Sequence, residues 1–382
     1  MRPKLKEIAA HAAVSEATVS RVLNGRPGVA QGTRETVLAA VSELGGDPSA
    51  VAAPSPPRSR IAGLVVPELD NPVFPLFAQA VQGRLAAHGL TTILGTATID
   101  GTQEHAYLRT MIEHGAAGIV VVNGLNADTL ADHTPYHEVV DQGIPLVLVN
   151  GAVPGLHVTV IDADEAAGAE MAVRHLVDLG HERIGLATGP RRYQPARRTG
   201  QGFQRASERL LGTLDEALVC ESLYSVEGGR LAGNRLLDAG ATAVVAGSDL
   251  MALGVVRAAR ERGLDVPEDV SVIGYDDTPL IAFTDPPLTT VRQPVSAMGA
   301  AAATALVGRD GPQTEPGEYR FAPELVVRGS TAPRRPRHLP APGEAGAEPT
   351  QAAAPDDALS ERIQKATPPA IAGTAADPPA RP

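Results

Sequence analysis

Residues 14–24 read VSEATVSRVLN: aliphatics recur at helical spacing, and one arginine stands among short polar side chains. In a helix over this run Val19, Val22 and Leu23 face inward, and Glu16, Ala17, Ser20 and Arg21 face outward. An outward face of small residues can lie against base edges without a steric block. Arg21 carries the forked donors that match guanine O6 and N7, while Ser15 and Thr18 offer hydroxyls to phosphate. The same pattern also suits a small helical bundle with a solvated polar face, so on pattern alone both readings stand.

Two carboxylates further along also sit where chemistry is done. Asp249 opens a helical run directly after AVVAGS, where it can cap the helix or accept from the hydroxyls of a ligand. Asp276 closes the run VSVIGYD, at the carboxyl edge where open α/β sheets place ligands. Each is equally a residue type of caps and turns. Signatures of catalysis are missing: no P-loop, no G-x-S-x-G, no metal-ligand cluster, no nucleophile beside a base. His105, His114, His133 and His137 are scattered and are expected to be solvated rather than metal ligands. The expectation is a protein that is not an enzyme, with no metal and no cofactor.

The elements that must hold these residues fall into three segments and a tail. Residues 4–44 give three short helical patterns: KLKEIAAHA with Leu5, Ile8, Ala9 and Ala12 on one face, SEATVSRVL, and TRETVLAAVSEL with Val37, Leu38, Val41 and Leu44 as its stripe. The first two, joined by the tight turn AAV, make a helix-turn-helix, with Ala9 small at the crossing and Ser15 as N-cap. Gly45-Gly46 ends the third. Residues 1–60 hold eight Lys/Arg against five Asp/Glu, a balance of +3 within a chain of −11, which leaves −14 on the rest. That asymmetry marks a head suited to nucleic acid and excludes a chain coated with it throughout. DPSAVAAPSPPRSR, 47–60, reads as a linker, because Pro54, Pro56 and Pro57 stop any helix begun at Pro48.

From Ile61 aliphatic runs alternate with helical ones. The strand-like runs are 61–66, 91–96, 118–122, 145–150, 157–162, 183–188, 243–247 and 270–277, and helical patterns fill 75–88, 102–114, 164–179, 199–211, 228–238 and 249–262. Nearly continuous aliphatic strands belong to parallel sheets covered on both faces. There are too many for one sheet. The expected architecture is a small all-α head followed by a two-lobed α/β core of two doubly wound parallel sheets, with a ligand cleft between the lobes. No internal repeat motif is evident. From Ala332 the chain is dominated by Pro, Ala, Gly and charge, and disorder is expected there. The segments are therefore 1–46, 47–60, 61–331 and 332–382. Cys220 is the only cysteine, which rules out an intrachain disulfide. No secretory signal is recognisable and no apolar run approaches the ~18 residues of a membrane span, so a cytoplasmic protein is expected.

Taken in order, LKEIAAHAAVSEATVSRVLNG, TRETVLAAVSELG, DPSAVA, PELDNPVF, AGSDLMALGVVRAARERGLDVPEDVSVIGYDDTPL, PPLTTVRQPVSAMG and ELVVRGST strongly resemble the lactose-repressor/galactose-repressor family of bacterial transcriptional regulators, over roughly residues 4–331. The resemblance implies a homodimer whose heads bind double-stranded, pseudo-palindromic operator DNA. It implies a core similar to periplasmic sugar-binding proteins, holding a small effector, usually a carbohydrate, that alters lobe closure. The competing reading is a ligand-binding protein of the periplasmic sugar-binding type without a DNA role, and the head argues against it.

By resemblance Glu16, Ala17 and Arg21 read bases, while Ser15, Thr18 and Asn24 contact phosphate. Glu16 can accept from cytosine N4 or point to solvent. In the core the resemblance moves Asp249 and Asp276 to effector contact and adds Asn71 and Phe74 as a polar and an aromatic wall. An arginine that the family places before the 199–211 helix falls, counted back from Gly202-Phe203, on Thr199. Arg197 and Arg198 stand near it, out of register, and are kept as effector candidates. Three departures stand out: Ala13 where a turn glycine is common, Ala30 where a capping serine is, and Pro54-Ser55 where the hinge carries a minor-groove wedge. With the hinge helix limited to 48–53, little operator bending is expected.

Overall fold

The computed structural model describes residues 5–23, 29–45, 60–97, 102–308 and 316–334. Asn24, the linker residues Pro54 and Ser55, the Ala17 side chain and the tail beyond Arg334 lie outside the described residues, and so do the expectations placed on them.

In the head, α1 (Leu5–His11), α2 (Glu16–Leu23) and α3 (Gln31–Glu43) enclose Ile8, Ala9, Ala12, Val19, Val22, Val37, Ala40 and Val41. Leu5, expected to face inward, is 43% exposed, because the core begins one turn later at Ile8. Ser15 caps α2 as its spacing predicts: its Oγ accepts from Thr18 N at 3.1 Å. Ala13 turns the chain with φ 53, a left-handed conformation that costs an alanine about 1 kcal/mol. Ala30 stands at the N-cap of α3 without a side-chain bond. Ser15→Ala should lower the stability of the head by about 1 kcal/mol. Hydrogen exchange at the first α2 amides is the check; unchanged protection there would show that the cap contributes nothing.

The core runs β1 (Ile61–Val66), α4 (Val73–Ala87), β2 (Thr91–Thr96), α5 (Thr102–Glu113), β3 (Gly118–Val122), α6 (Thr134–Asp141), β4 (Leu146–Val149) and β5 (Thr159–Ala163). It continues through α7 (Glu165–Asp178), β6 (Ile184–Thr188), α8 (Gln194–Leu211), β7 (Val219–Glu221), α9 (Val226–Asp238), β8 (Ala243–Ala246), α10 (Asp249–Glu261), β9 (Ser271–Asp276) and β10 (Thr289–Arg292). Then come α11 (Val295–Val307), β11 (Glu318–Phe321) and β12 (Glu324–Val326).

Two sheets result, ordered β11-β5-β4-β3-β1-β2 and β12-β10-β9-β8-β6-β7. Among the described residues every ladder is parallel except β10 with β12. Each lobe is doubly wound, so its strand order reverses between β1 and β3 in one and between β6 and β8 in the other. Crevices that take ligands open at those switch points, beyond the carboxyl ends of the strands. Strands such as GIVVV are buried throughout because helices cover both faces. The chain crosses between lobes three times: after β5, after β10, when α11 returns to pack on α4, and between β11 and β12. Where α11 packs on α4 a Cβ on Gly299 would stand 2.6 Å from the Ala80 Cβ, so only a glycine allows the helices this close.

The structure adds α6, α11, β7, β10, β11 and β12 to the expected elements and starts α8 at Gln194 rather than near 199. Pro195 lies in the first turn of α8, where its missing N–H costs nothing. Among the described residues no helix is long and apolar enough to cross a membrane.

Candidate functional site

The face of α2 presents Glu16 and Arg21 exposed, and neither bonds to a described residue. The Ser15 and Thr18 hydroxyls lie 2.9 Å apart at the start of the helix, so phosphate contact there would compete with the cap. An exposed guanidinium on a face of short side chains is what base-edge readout needs.

In the core, the carboxyl ends of both sheets meet at Asp276. This residue closes β9 with φ 116, a backbone conformation that L side chains rarely adopt. Strain of this kind costs about 1–3 kcal/mol and is kept where it aims a side chain. The Asp276 carboxylate is 5% exposed and accepts from Gln293 Nε2 at 2.6 Å. From the other lobe the Asn71 amide also hydrogen-bonds to it, while Asn71 Oδ1 takes Val73 N at 3.3 Å. Burial and, next, the nearby Asp249 push the Asp276 carboxyl well above its usual range, against the two amides. Gln293 Oε1 and the Tyr275 hydroxyl are buried without a partner among the described residues. Atoms of that kind call for a ligand or water.

Asp249 is placed differently from the sequence expectation. Ser248, not Asp249, caps α10, and the Asp249 carboxylate is consumed inside the lobe that holds β9. Its Oδ2 accepts from Thr278 N at 2.7 Å and Thr278 Oγ1 at 2.9 Å, and Oδ1 from Thr290 Oγ1 at 2.7 Å. Burial raises its pKa to about 6 in spite of these bonds. Asp249 thus braces the turn that carries Asp276.

Phe74 is 9% exposed and belongs to the packed core of the first lobe rather than to an open aromatic wall. The aromatic at the crevice is Tyr224, which the sequence reading missed. Its ring covers the ends of β6 and β8 so closely that a Cβ on Gly189 would fall 2.1 Å from it and one on Gly247 3.2 Å. Asn123 and Asn150 were missed as well. Both adopt positive φ, 50 and 60, at the ends of β3 and β4, and Asn150 Nδ2 donates to Asn123 Oδ1 at 2.7 Å. The signal available for them was an amide directly following an aliphatic run.

The arginine candidates do not reach the crevice as free cations. Arg197 is exposed on α8. Arg198 is held by Glu165 at 2.7 Å and Asp162 at 3.2 Å, and Thr199 is buried. His133, expected in solvent, lies 3.0 Å from both the Leu125 and Asp128 carbonyl oxygens. A groove of about 410 Å³ lies at the amino end of β6, lined by Arg183, Leu210, Leu214 and Asp215, and it holds none of the converging polar residues.

Two carboxylates share the one Arg198 guanidinium, and Asp162 shows the consequence. Burial first, with Glu165 adding and Arg198 opposing, raises its pKa from 3.8 to about 7. The folded state therefore favours the protonated carboxyl. Stability from this group is complete at acid pH below its ordinary value and is lost as pH rises through about 7. The unfolding midpoint should be higher near about pH 5.5 than near about pH 8, and Asp162→Asn should narrow the gap. An equal gap in variant and parent would assign the dependence elsewhere.

Comparison with known proteins places both regions. Residues 4–49 match the model for bacterial regulatory proteins of the lacI family, and residues 173–331 match the periplasmic binding protein-like domain. The HTH-type transcriptional regulator reg1 of Streptomyces lividans is 50% identical over 357 residues, 91% of this chain and 99% of that protein. The chain belongs to the lacI family of bacterial transcriptional regulators. The regulator MalR of Streptomyces coelicolor is likewise 50% identical, over 91% of this chain and 99% of its own. Among solved structures, a CelR–cellobiose complex is 32% identical with a TM-score of 0.65, covering 86% of this chain and 100% of that one. The lac repressor dimer bound to operator and an anti-inducer is 27% identical with a TM-score of 0.63, covering 87% and 100%. This lacI-family protein is a helix-turn-helix transcriptional regulator with an effector-binding core, and the head excludes the reading as a ligand-binding protein alone.

Proposed function

We propose that this regulator is a cytoplasmic, homodimeric repressor without enzymatic activity, whose hold on operator DNA is set by an uncharged carbohydrate bound between its lobes. The observation that carries the reading is Asp276, a buried carboxylate at the end of β9, joined across the crevice to Asn71 of the other lobe. Amides on Asn71 and Gln293, a carboxylate and the Tyr224 ring suit sugar hydroxyls and a sugar face. Arg198 is already held by Asp162 and Glu165, and Arg292 and Arg328 by Asp277, so none of these arginines stands free for an anionic effector. Asp276 and Asn71 are the assigned effector contacts, with Asp249 in a bracing role. Glu16, Ala17 and Arg21 are assigned to bases, and Ser15, Thr18 and Asn24 to phosphate. The relative bound to cellobiose supports the class of ligand.

A thermal-shift screen over neutral mono- and disaccharides and their phosphates tests this reading, since a ligand of the native state raises Tm by mass action. We expect shifts with neutral sugars alone. A shift confined to phosphorylated sugars would overturn the assignment.

A further inference from the structure

We propose that Gln194 is the clasp that holds the two lobes closed, so that this side chain sets how far the ligand-free core prefers closure. The inference rests on the reading that lobe closure answers an effector, yet its test needs no effector.

Gln194 is the first residue of α8, a helix of the second lobe, but its side chain is engaged in the first. Nε2 donates to Asn126 O at 3.0 Å and to Ala152 O at 2.8 Å, and Oε1 accepts from Ala152 N at 3.2 Å. Both N–H groups of the amide are used, and the residue is 8% exposed. The partners lie in the loops that follow β3 and β4, on the edge that also carries Asn71, Asn123 and Asn150.

Those loops are built to be gripped. Asn126 Nδ2 ties them together through Val149 O at 3.2 Å and Gly151 O at 2.8 Å. Behind them Glu104, fully buried, accepts from Leu125 N at 3.0 Å and from the Tyr136 hydroxyl, which in turn accepts from Asn126 N at 2.8 Å. A Cβ on Gly151 would come within 2.7 Å of the Ala127 Cα, so the two loops touch. Beside Gln194, Thr129 N and Oγ1 both donate to Arg192 O at 2.9 Å, and Arg192 pairs with Asp128 at 3.3 Å. The Arg192 side chain is 40% exposed, so water and salt weaken its pair, whereas the Gln194 side chain is itself buried.

Removing the amide leaves Asn126 O, Ala152 O and Ala152 N without partners in the closed arrangement, and opening lets water satisfy them. With three bonds at stake, one buried and two half-buried, the closed-to-open ratio should fall roughly tenfold or more. The side chain acts on lobe position and needs no contact with effector.

The test is an electron-spin distance measurement on the full ligand-free chain. Spin labels go on Glu138→Cys in α6 and Glu208→Cys in α8, both exposed, in a Cys220→Ala background, with labelled chains diluted by unlabelled ones. The parent should give one dominant short distance. Gln194→Ala should add a longer population, and Gln194→Glu at least as much, because its carboxylate faces two carbonyl oxygens. A merely structural role would lower Tm in both variants without a second distance, and that result, or distributions identical to the parent, would overturn the proposal. A failure of every sugar in the thermal-shift screen would count against the effector assignment and leave the distance result to decide the clasp.

Discussion

Asp276→Asn should abolish the effector response while leaving the operator affinity of the effector-free regulator within a few-fold. The substitution keeps the shape and removes the charge. A carboxylate accepts from two vicinal hydroxyls at once, and each charge-assisted bond contributes about 1.5–3 kcal/mol. Their loss corresponds to at least about a hundredfold in effector affinity. The fold should not suffer. Burial and Asp249 raise the Asp276 pKa, so ionising this carboxyl works against the folded state, and the neutral amide removes that opposition. The variant should therefore melt no lower than the parent at neutral pH. Calorimetric titration with a sugar that shifts the parent decides the matter. An unchanged titration would mean that the effector does not touch Asp276.

Much of this was legible in the sequence, and the failures have physical causes. The alternation from Ile61 and the surplus of strands led to two lobes, because an aliphatic run buried on both faces reads the same in any parallel sheet. The absence of a repeated motif hid that both sheets share one strand order, since topology needs only the pattern of burial. The short, exposed β11 could not be seen because an edge strand that faces water carries no aliphatic run. Alanine-rich α11 has no polar face to reveal its period. At the crevice, Asp276 followed from its place at a strand end. Asp249 occupies the same kind of place, yet two threonines distant in sequence, Thr278 and Thr290, turn its carboxylate inward. Gln194 was unreadable for a similar reason: its partners are backbone atoms, which have no residue type.

Arg21→Ala should cost about 1–3 kcal/mol of operator binding and relax preference at one position in each half-site. Val19 and Val22 are fully buried in the head and fix the rotation of α2, so Arg21 is carried on the exposed face beside Glu16. The Ser15 cap and the Ala13 turn fix where that helix starts. A guanidinium without a partner among the described residues loses none of their bonds when it enters a groove, and its parallel N–H groups match guanine O6 and N7 together. A phosphate contact would behave otherwise. Its removal weakens binding to every sequence alike and lowers the slope of affinity against salt by about one unit, without changing preference. Binding of parent and variant to a randomised operator pool, followed by salt titration of the best site, separates the two. A uniform loss with a shallower salt slope would move Arg21 from base reading to the backbone, and the sequence preference of the head would then have to come from other residues of α2.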